Sequence, residues 1–181
     1  MPRLLEQSDE TLMQALAAGE AAALDVLVAR HQDRLLSFCF RFLRDRQAAE
    51  DAVQEAFVAL WRDRERWEPK ARVTTWLYQI ARNQCVSAGR KRSVRFAKAI
   101  DPQIPPAATG PGPDTDVRRA EDRDRVAACV KELPEMYREV VLFRMYEDLP
   151  FKEIAAITGV NESTLRTRFE YALLKLRDAL T

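Results

Sequence analysis

Residues 149–168 read LPFKEIAAITGVNESTLRTR. The stretch predicts two short helices joined by a tight turn. Pro150 has a preset φ and no N–H to lose, which suits the first position of a helix. Ile154, Ala155 and Ile157 give that helix an apolar stripe. Gly159 stands where a left-handed residue would end it. Asn161 can cap the next helix through its side-chain oxygen, and Glu162 then faces the positive dipole end. Leu165 and Phe169 continue an apolar face. Ala155 is small enough for two steeply crossing helices to approach. The N-terminal end of the second helix, 162–168, is thereby left free to enter a major groove. A helix corner of this kind also occurs in all-α cores that never touch DNA, so the rest of the chain decides between the two.

Working outward, the last helix continues through Leu173, Leu174, Leu176 and Leu180. Upstream, Pro134 opens a helix with Met136, Val140, Val141 and Phe143 expected inward, and residues 118–131 form another. Before them lies DPQIPPAATGPGPDTD, residues 101–116, with five of the nine prolines and two of the five glycines. It cannot form a helix and has little to bury, so it reads as a linker of 16 residues spanning at most ~50–58 Å. The expected division is a first domain over 1–97, a linker over 98–117 and a second domain over 118–181.

The first domain also reads as helices. Residues 9–18 form a short one capped by Ser8 or Asp9. Residues 20–43 form a longer one, with Leu24, Leu27, Val28, Leu35, Phe38 and Phe42 at three- and four-residue steps. A third runs from about Asp45 to Arg64. Ala49, Ala52, Val53, Ala56, Phe57, Leu60 and Trp61 share one of its faces, and Glu50, Asp51, Gln54 and Glu55 share another. Pro69 breaks the pattern. Thr74 or Thr75 then caps a fourth helix with Trp76, Leu77, Ile80, Ala81 and Cys85 as its apolar stripe, and Tyr78, Arg82 and Asn83 off it. The fold class expected is all-α, two small helical domains joined by a proline-rich linker.

Composition excludes several functions. The chain has 181 residues, 47% apolar and 31% charged. No apolar run approaches the ~20 residues of a membrane span, and the first ten residues lack a signal-peptide core. A cytoplasmic protein without membrane insertion is expected. Cys39, Cys85 and Cys129 show no C-x-x-C pairing and His31 is the only histidine, so neither a zinc site nor any other cofactor is expected. No nucleophile–base set or phosphate loop points to an enzyme. Net charge is +1, but residues 1–100 hold 17 Lys and Arg against 13 Asp and Glu. Arg90, Lys91, Arg92, Arg95 and Lys98 form a run without an acid. It reads equally as a solvated helix end and as a phosphate contact.

The strings AAEDAVQEAFVALW at 48–61, TWLYQIARN at 75–83, LPEMYREVVLFRMYEDLPFKEIAAITGV at 133–160 and STLRTR at 163–168 occur in one order. Together they resemble a bacterial sigma-70 family sigma factor of the extracytoplasmic-function (ECF) type, which keeps only regions 2 and 4. The resemblance covers about 8–97 and 118–180. It implies a protein that binds core RNA polymerase, through the β′ coiled coil and the β flap, and directs it to promoter DNA. Glu50, Asp51, Gln54 and Glu55 are then the core-polymerase contacts. Ala52 stands where the family often has a larger aliphatic residue.

Capture of an extruded −10 base needs hydrogen-bonding groups and nearby cations. By the resemblance these are Lys70, Arg72, Tyr78, Arg82 and Asn83. Trp76 reads as core before stacking platform, and Trp67 is open between the two. The −35 duplex falls to Ser163, Thr164, Arg166, Thr167, Arg168 and Glu170. Glu170 and Tyr171 depart from the aromatic or basic residues common there, so Glu170 either meets DNA or turns to solvent or Lys175. An anti-sigma factor is the further partner such factors often have. The alternative is a helix-turn-helix regulator acting without core polymerase.

Overall fold

The computed structural model describes residues 2–69, 72–98 and 117–180, with side chains outside 2–3, 91–98 and 117–124. The linker sequence 101–116, Lys70 and the side chains of the basic run beyond Arg90 lie outside the described residues.

The first bundle holds α1 (Pro2–Leu5), α2 (Asp9–Ala17), α3 (Ala22–Leu43), α4 (Arg46–Arg62) and α5 (Val73–Lys98). Local chemistry sets its boundaries. Ser8 caps α2 by accepting from the Thr11 N–H at 3.2 Å. Gly19 takes φ +99°, a left-handed turn that a side chain would strain. Asp45 caps α4, accepting from the Ala48 N–H at 3.0 Å. Helix α5 starts ahead of the expected Thr74 or Thr75 cap. Val73 is fully buried, and the Trp76 N–H already bonds the Arg72 carbonyl at 3.1 Å.

Leu12, Leu16, Leu27, Leu35, Phe38, Leu60 and Leu77 fill the middle of this bundle with almost no exposure. Asp9 clips α2 to α3, since Arg30 donates to it at 2.7 Å and His31 Nε2 lies 2.7 Å from its other oxygen. His31 is therefore occupied at the core edge. No group of three or more His, Cys, Asp or Glu suited to a metal occurs among the described residues. Cys39 and Cys85, far apart in sequence, are both buried, on α3 and α5. Interaction with the Cys39 thiol, then burial, push the Cys85 thiol well up, which keeps it protonated.

The second bundle holds α6 (Val117–Glu132), α7 (Glu135–Val141), α8 (Phe151–Thr158) and α9 (Glu162–Leu180). A π-helical turn, Leu142–Tyr146, extends α7. Pro150 sits just outside α8 rather than inside it, because its ψ of 151° is extended. Gly159 ends α8 at φ +73° as the sequence predicts. Asn161 Oδ1 accepts from the Thr164 N–H and the Ser163 hydroxyl, each at 2.8 Å, and so opens α9. Asn161→Ala should cost ~0.5–2 kcal/mol. Urea denaturation should show a lower midpoint with an unchanged slope.

Val140, Val141 and Phe143 are buried as expected, but Met136 is 46% exposed. Tyr137, one residue on, takes the place against α9 by stacking on Tyr171 at 4.5 Å, and this leaves Met136 on the outer side. Phe143 is not confined to its own bundle. The π-helical turn carries it onto Phe38 of α3, 4.7 Å between centroids and 28° between planes, with Tyr78 of α5 edge-on at 6.0 Å. One apolar core therefore runs through both bundles.

Candidate nucleic-acid interface

Helix α9 carries the first cluster. Asn161 caps its N-terminus, and an exposed helix N-terminus suits an anion. Ser163, Arg166, Thr167 and Glu170 are exposed, while Thr164 and Arg168 are half-buried. Arg166 lies over the Phe151 ring of α8 at 4.7 Å and reaches Glu162 at 3.7 Å. The ring and the carboxylate restrain an otherwise flexible guanidinium on the exposed side of α9. The Thr167 hydroxyl donates back to the Ser163 carbonyl at 3.1 Å, so its proton is engaged. Glu170 is exposed, open to solvent and to a DNA contact alike.

Ser163, Thr164, Thr167 and Arg168 line a cleft of about 320 Å³ with Tyr137 and Tyr171. Sequence reasoning missed Tyr137 here. It comes from α7, and only the fold brings it beside α9.

The second cluster lies on α5 and on Arg72 just ahead of it, and is not open. Tyr78, expected off the apolar stripe, is 5% exposed and donates its hydroxyl to Glu147. Burial, then that bond, push the Tyr78 phenol well up, so it stays a neutral donor. Arg82 Nε meets Glu139 Oε1 at 2.6 Å, and Arg72 meets Glu153 Oε1 at 2.7 Å. Thr75 adds a bond to the other Glu153 oxygen at 3.4 Å. Asn83 is exposed.

Arg34 of α3, not singled out from sequence, joins them. Its Nε donates to Glu147 Oε2 at 2.8 Å and its Nη2 to the Glu147 carbonyl at 2.9 Å. The bond to Glu147 raises the Arg34 pKa above its ordinary value. Trp67 is buried with its Nε1 unpartnered, and Trp76 is half-buried against the core.

The third cluster is the polar face of α4. Asp51, Gln54 and Glu55 are exposed and Glu50 is half-buried. Arg46 bonds Glu50 at 2.9 Å, and Gln47 bonds Asp51 at 3.0 Å, one turn apart along the helix. Beside this row runs an apolar groove between α3 and α4, about 840 Å³, lined by Leu24, Val28, Leu36, Val53, Phe57 and neighbouring side chains. Ala52, small and 4% exposed, lies under the face rather than on it. The groove was half-legible in sequence. Leu24 and Val28 belong to the apolar face of α3, but nothing in the spacing said that they are left partly uncovered.

Comparison with known proteins fits this geometry. The Sigma-70 region 2 family model matches residues 27–95, and the Sigma-70 region 4 model matches residues 123–176. The RNA polymerase sigma factor CarQ of Myxococcus xanthus is 32% identical, covering 93% of this chain and 95% of its own. The RNA polymerase sigma-H factor of Pseudomonas aeruginosa is 29% identical over 98% of this chain and 94% of its own. In fold the chain is similar to CnrH, solved with the cytosolic domain of CnrY, at a TM-score of 0.72 and 24% identity, with 96% of this chain and 97% of that one covered. It is also similar to the sigma factor RpoE of Bartonella quintana, solved with the anti-sigma factor NepR, at 0.73 and 22%, covering 84% and 93%. Both halves match in order, and a sigma factor matches along nearly its whole length, so the chain belongs to the sigma-70 family of RNA polymerase sigma factors, as an ECF-type member.

Proposed function

We propose that this sigma factor holds a promoter by two grips whose separation core polymerase sets. Residues 1–97 form the region 2 unit, 118–181 the region 4 unit, and 98–117 the tether. Region 4 reads the −35 duplex with Arg166 at base edges and Ser163, Thr164 and Arg168 on phosphate. Thr167 and Glu170 border the same face. Region 2 captures the −10 strand with Lys70, Arg72, Tyr78, Arg82 and Asn83. Core polymerase docks a helix of its β′ coiled coil along Glu50, Asp51, Gln54 and Glu55, with apolar side chains entering the groove between α3 and α4. An anti-sigma factor, the partner in the RpoE–NepR complex, is a second protein partner of this kind. The chain contributes binding and no catalysis, and its work with polymerase is cytoplasmic.

The observation that carries this reading is the exposed row on α9, presented at a capped, free helix end. Arg166→Ala should remove ~1–3 kcal/mol of discrimination at one −35 base pair. Affinities for single-base −35 variants should flatten at that position and stay ordered at the others. Mobility shift on promoter duplex separates this reading from a free-standing regulator. Retardation is expected with core polymerase present and weak or absent without it. Tight, sequence-specific binding by the chain alone would favour the regulator.

A further inference from the structure

Tyr137 and Tyr171 wall a cleft that Arg166 does not use. It measures about 320 Å³ between α7 and α9, and Ser163, Thr164, Thr167 and Arg168 complete its described lining. These α9 positions follow one another at one- and four-residue steps, so they share one flank of the helix. Arg166 leans to the other flank, onto Phe151 of α8 at 4.7 Å. No carboxylate is among the described residues that line the cleft.

The Ser163 hydroxyl donates to Asn161 Oδ1 at 2.8 Å and the Thr167 hydroxyl to the Ser163 carbonyl at 3.1 Å, so both protons are engaged. The Thr164 hydroxyl, the Arg168 guanidinium and the two phenols have no hydrogen-bond partner among the described residues. The cleft therefore offers a cation and neutral hydroxyl donors, with no acid to compete for them. That set suits an anion carrying several oxygens on one centre, as a backbone phosphodiester does. The tyrosines are also held in place. Their rings stack at 4.5 Å and 34°, and the Lys175 ammonium lies 5.6 Å from the centre of the Tyr171 ring. A ring already stacked needs little further ordering to present its hydroxyl.

We infer that Tyr137, from outside the helix-turn-helix, and Tyr171 bind one backbone phosphate of the promoter duplex together with Thr164 and Arg168. This rests on the reading of α9 as the −35 contact. Arg168 is charged and the tyrosines are neutral donors, so their contributions separate. Arg168 releases a counterion on binding, and its share weakens as salt rises. The tyrosines add hydrogen bonds that carry no base preference and release no counterion.

Holoenzyme carrying the full chain, bound to a fluorescent promoter duplex from a start site mapped with this factor, tests this. Tyr137→Phe with Tyr171→Phe keeps both rings and removes both hydroxyls, and the melting midpoint reports that the fold is kept. The pair should weaken binding ~tenfold or more. The loss should be equal for every single-base −35 variant, with the slope of log affinity against log salt unchanged. Arg168→Ala should reduce that slope by ~1. Neutral methylphosphonate linkages, placed one at a time along both strands, locate the phosphate. At one position beside the −35 element the native chain should lose affinity, and the double variant should lose far less there.

Full affinity in the double variant, or equal methylphosphonate losses in native and variant, overturns the tyrosine contact. Arg166→Ala that still flattens one −35 position then leaves the −35 reading standing. If Arg166→Ala and Arg168→Ala change nothing either, the −35 reading fails and the inference with it. A tyrosine loss confined to one base pair makes the pair base readers and overturns the phosphate contact.

Discussion

Phe38→Ala should lower stability by ~3–5 kcal/mol, as expected for emptying a phenylalanine site in a core. Phe38 is fully buried and meets Phe42 at 6.0 Å, Tyr78 at 5.4 Å and Phe143 at 4.7 Å. The three rings come from α3, α5 and the π-helical turn of the second bundle, elements whose backbones are each fixed by other contacts. They cannot all close onto an alanine, so the cavity persists and its cost adds to the lost transfer energy. For a chain of this length the melting midpoint should fall by roughly 6–20 °C. Leu173→Ala is the control, since Leu173 is 40% exposed and a surface change of that kind stays within about ±0.5 kcal/mol. A drop below ~1 kcal/mol for Phe38→Ala would mean that the ring stack contributes little to the core.

The second large effect is on function rather than stability. Asp51→Lys with Glu55→Lys should weaken core-polymerase binding by ~100-fold or more, since a like charge turned toward a basic partner adds repulsion to the lost attraction. Both side chains are exposed and neither packs into the core, so the melting midpoint should hardly move. Glu50 is the poorer target because Arg46 already holds it at 2.9 Å. Titration of labelled core polymerase checks this, and moderate salt should reduce the native affinity in the same direction. Unchanged binding would shift the docking role wholly to the apolar groove beside α4.

Much of the architecture was legible because local chemistry dictated it. Gly159 had to turn left-handed, Asn161 had to cap, and the three- and four-residue steps of Leu27, Leu35, Phe38 and Phe42 had to face inward. The exposed row on α9 followed from the same periodicity. What periodicity could not supply was the partner of each face. Tyr78 reads as a polar residue beside a stripe, and only the arrival of Glu147 buries it. Phe143 reads as core of its own bundle and lies against Phe38 of the other. Nothing in the spacing singles out Arg34 on α3, and its role depends on a carboxylate far along the chain. Met136 fits the inward spacing, yet Tyr137 wins the contact with Tyr171. Each miss is a long-range pairing, decided by tertiary packing rather than by neighbours in sequence.

The central claim is that this chain confers promoter choice on core polymerase. Transcription of sheared genomic DNA of the source organism by core polymerase, with transcript 5′ ends mapped, tests it most directly. Start sites should appear only when the chain is added. They should share one −35 and one −10 element at fixed spacing, and Arg166→Ala should blur the −35 element alone. Starts that are unchanged by the chain, or that share no common pair of elements, would contradict the account.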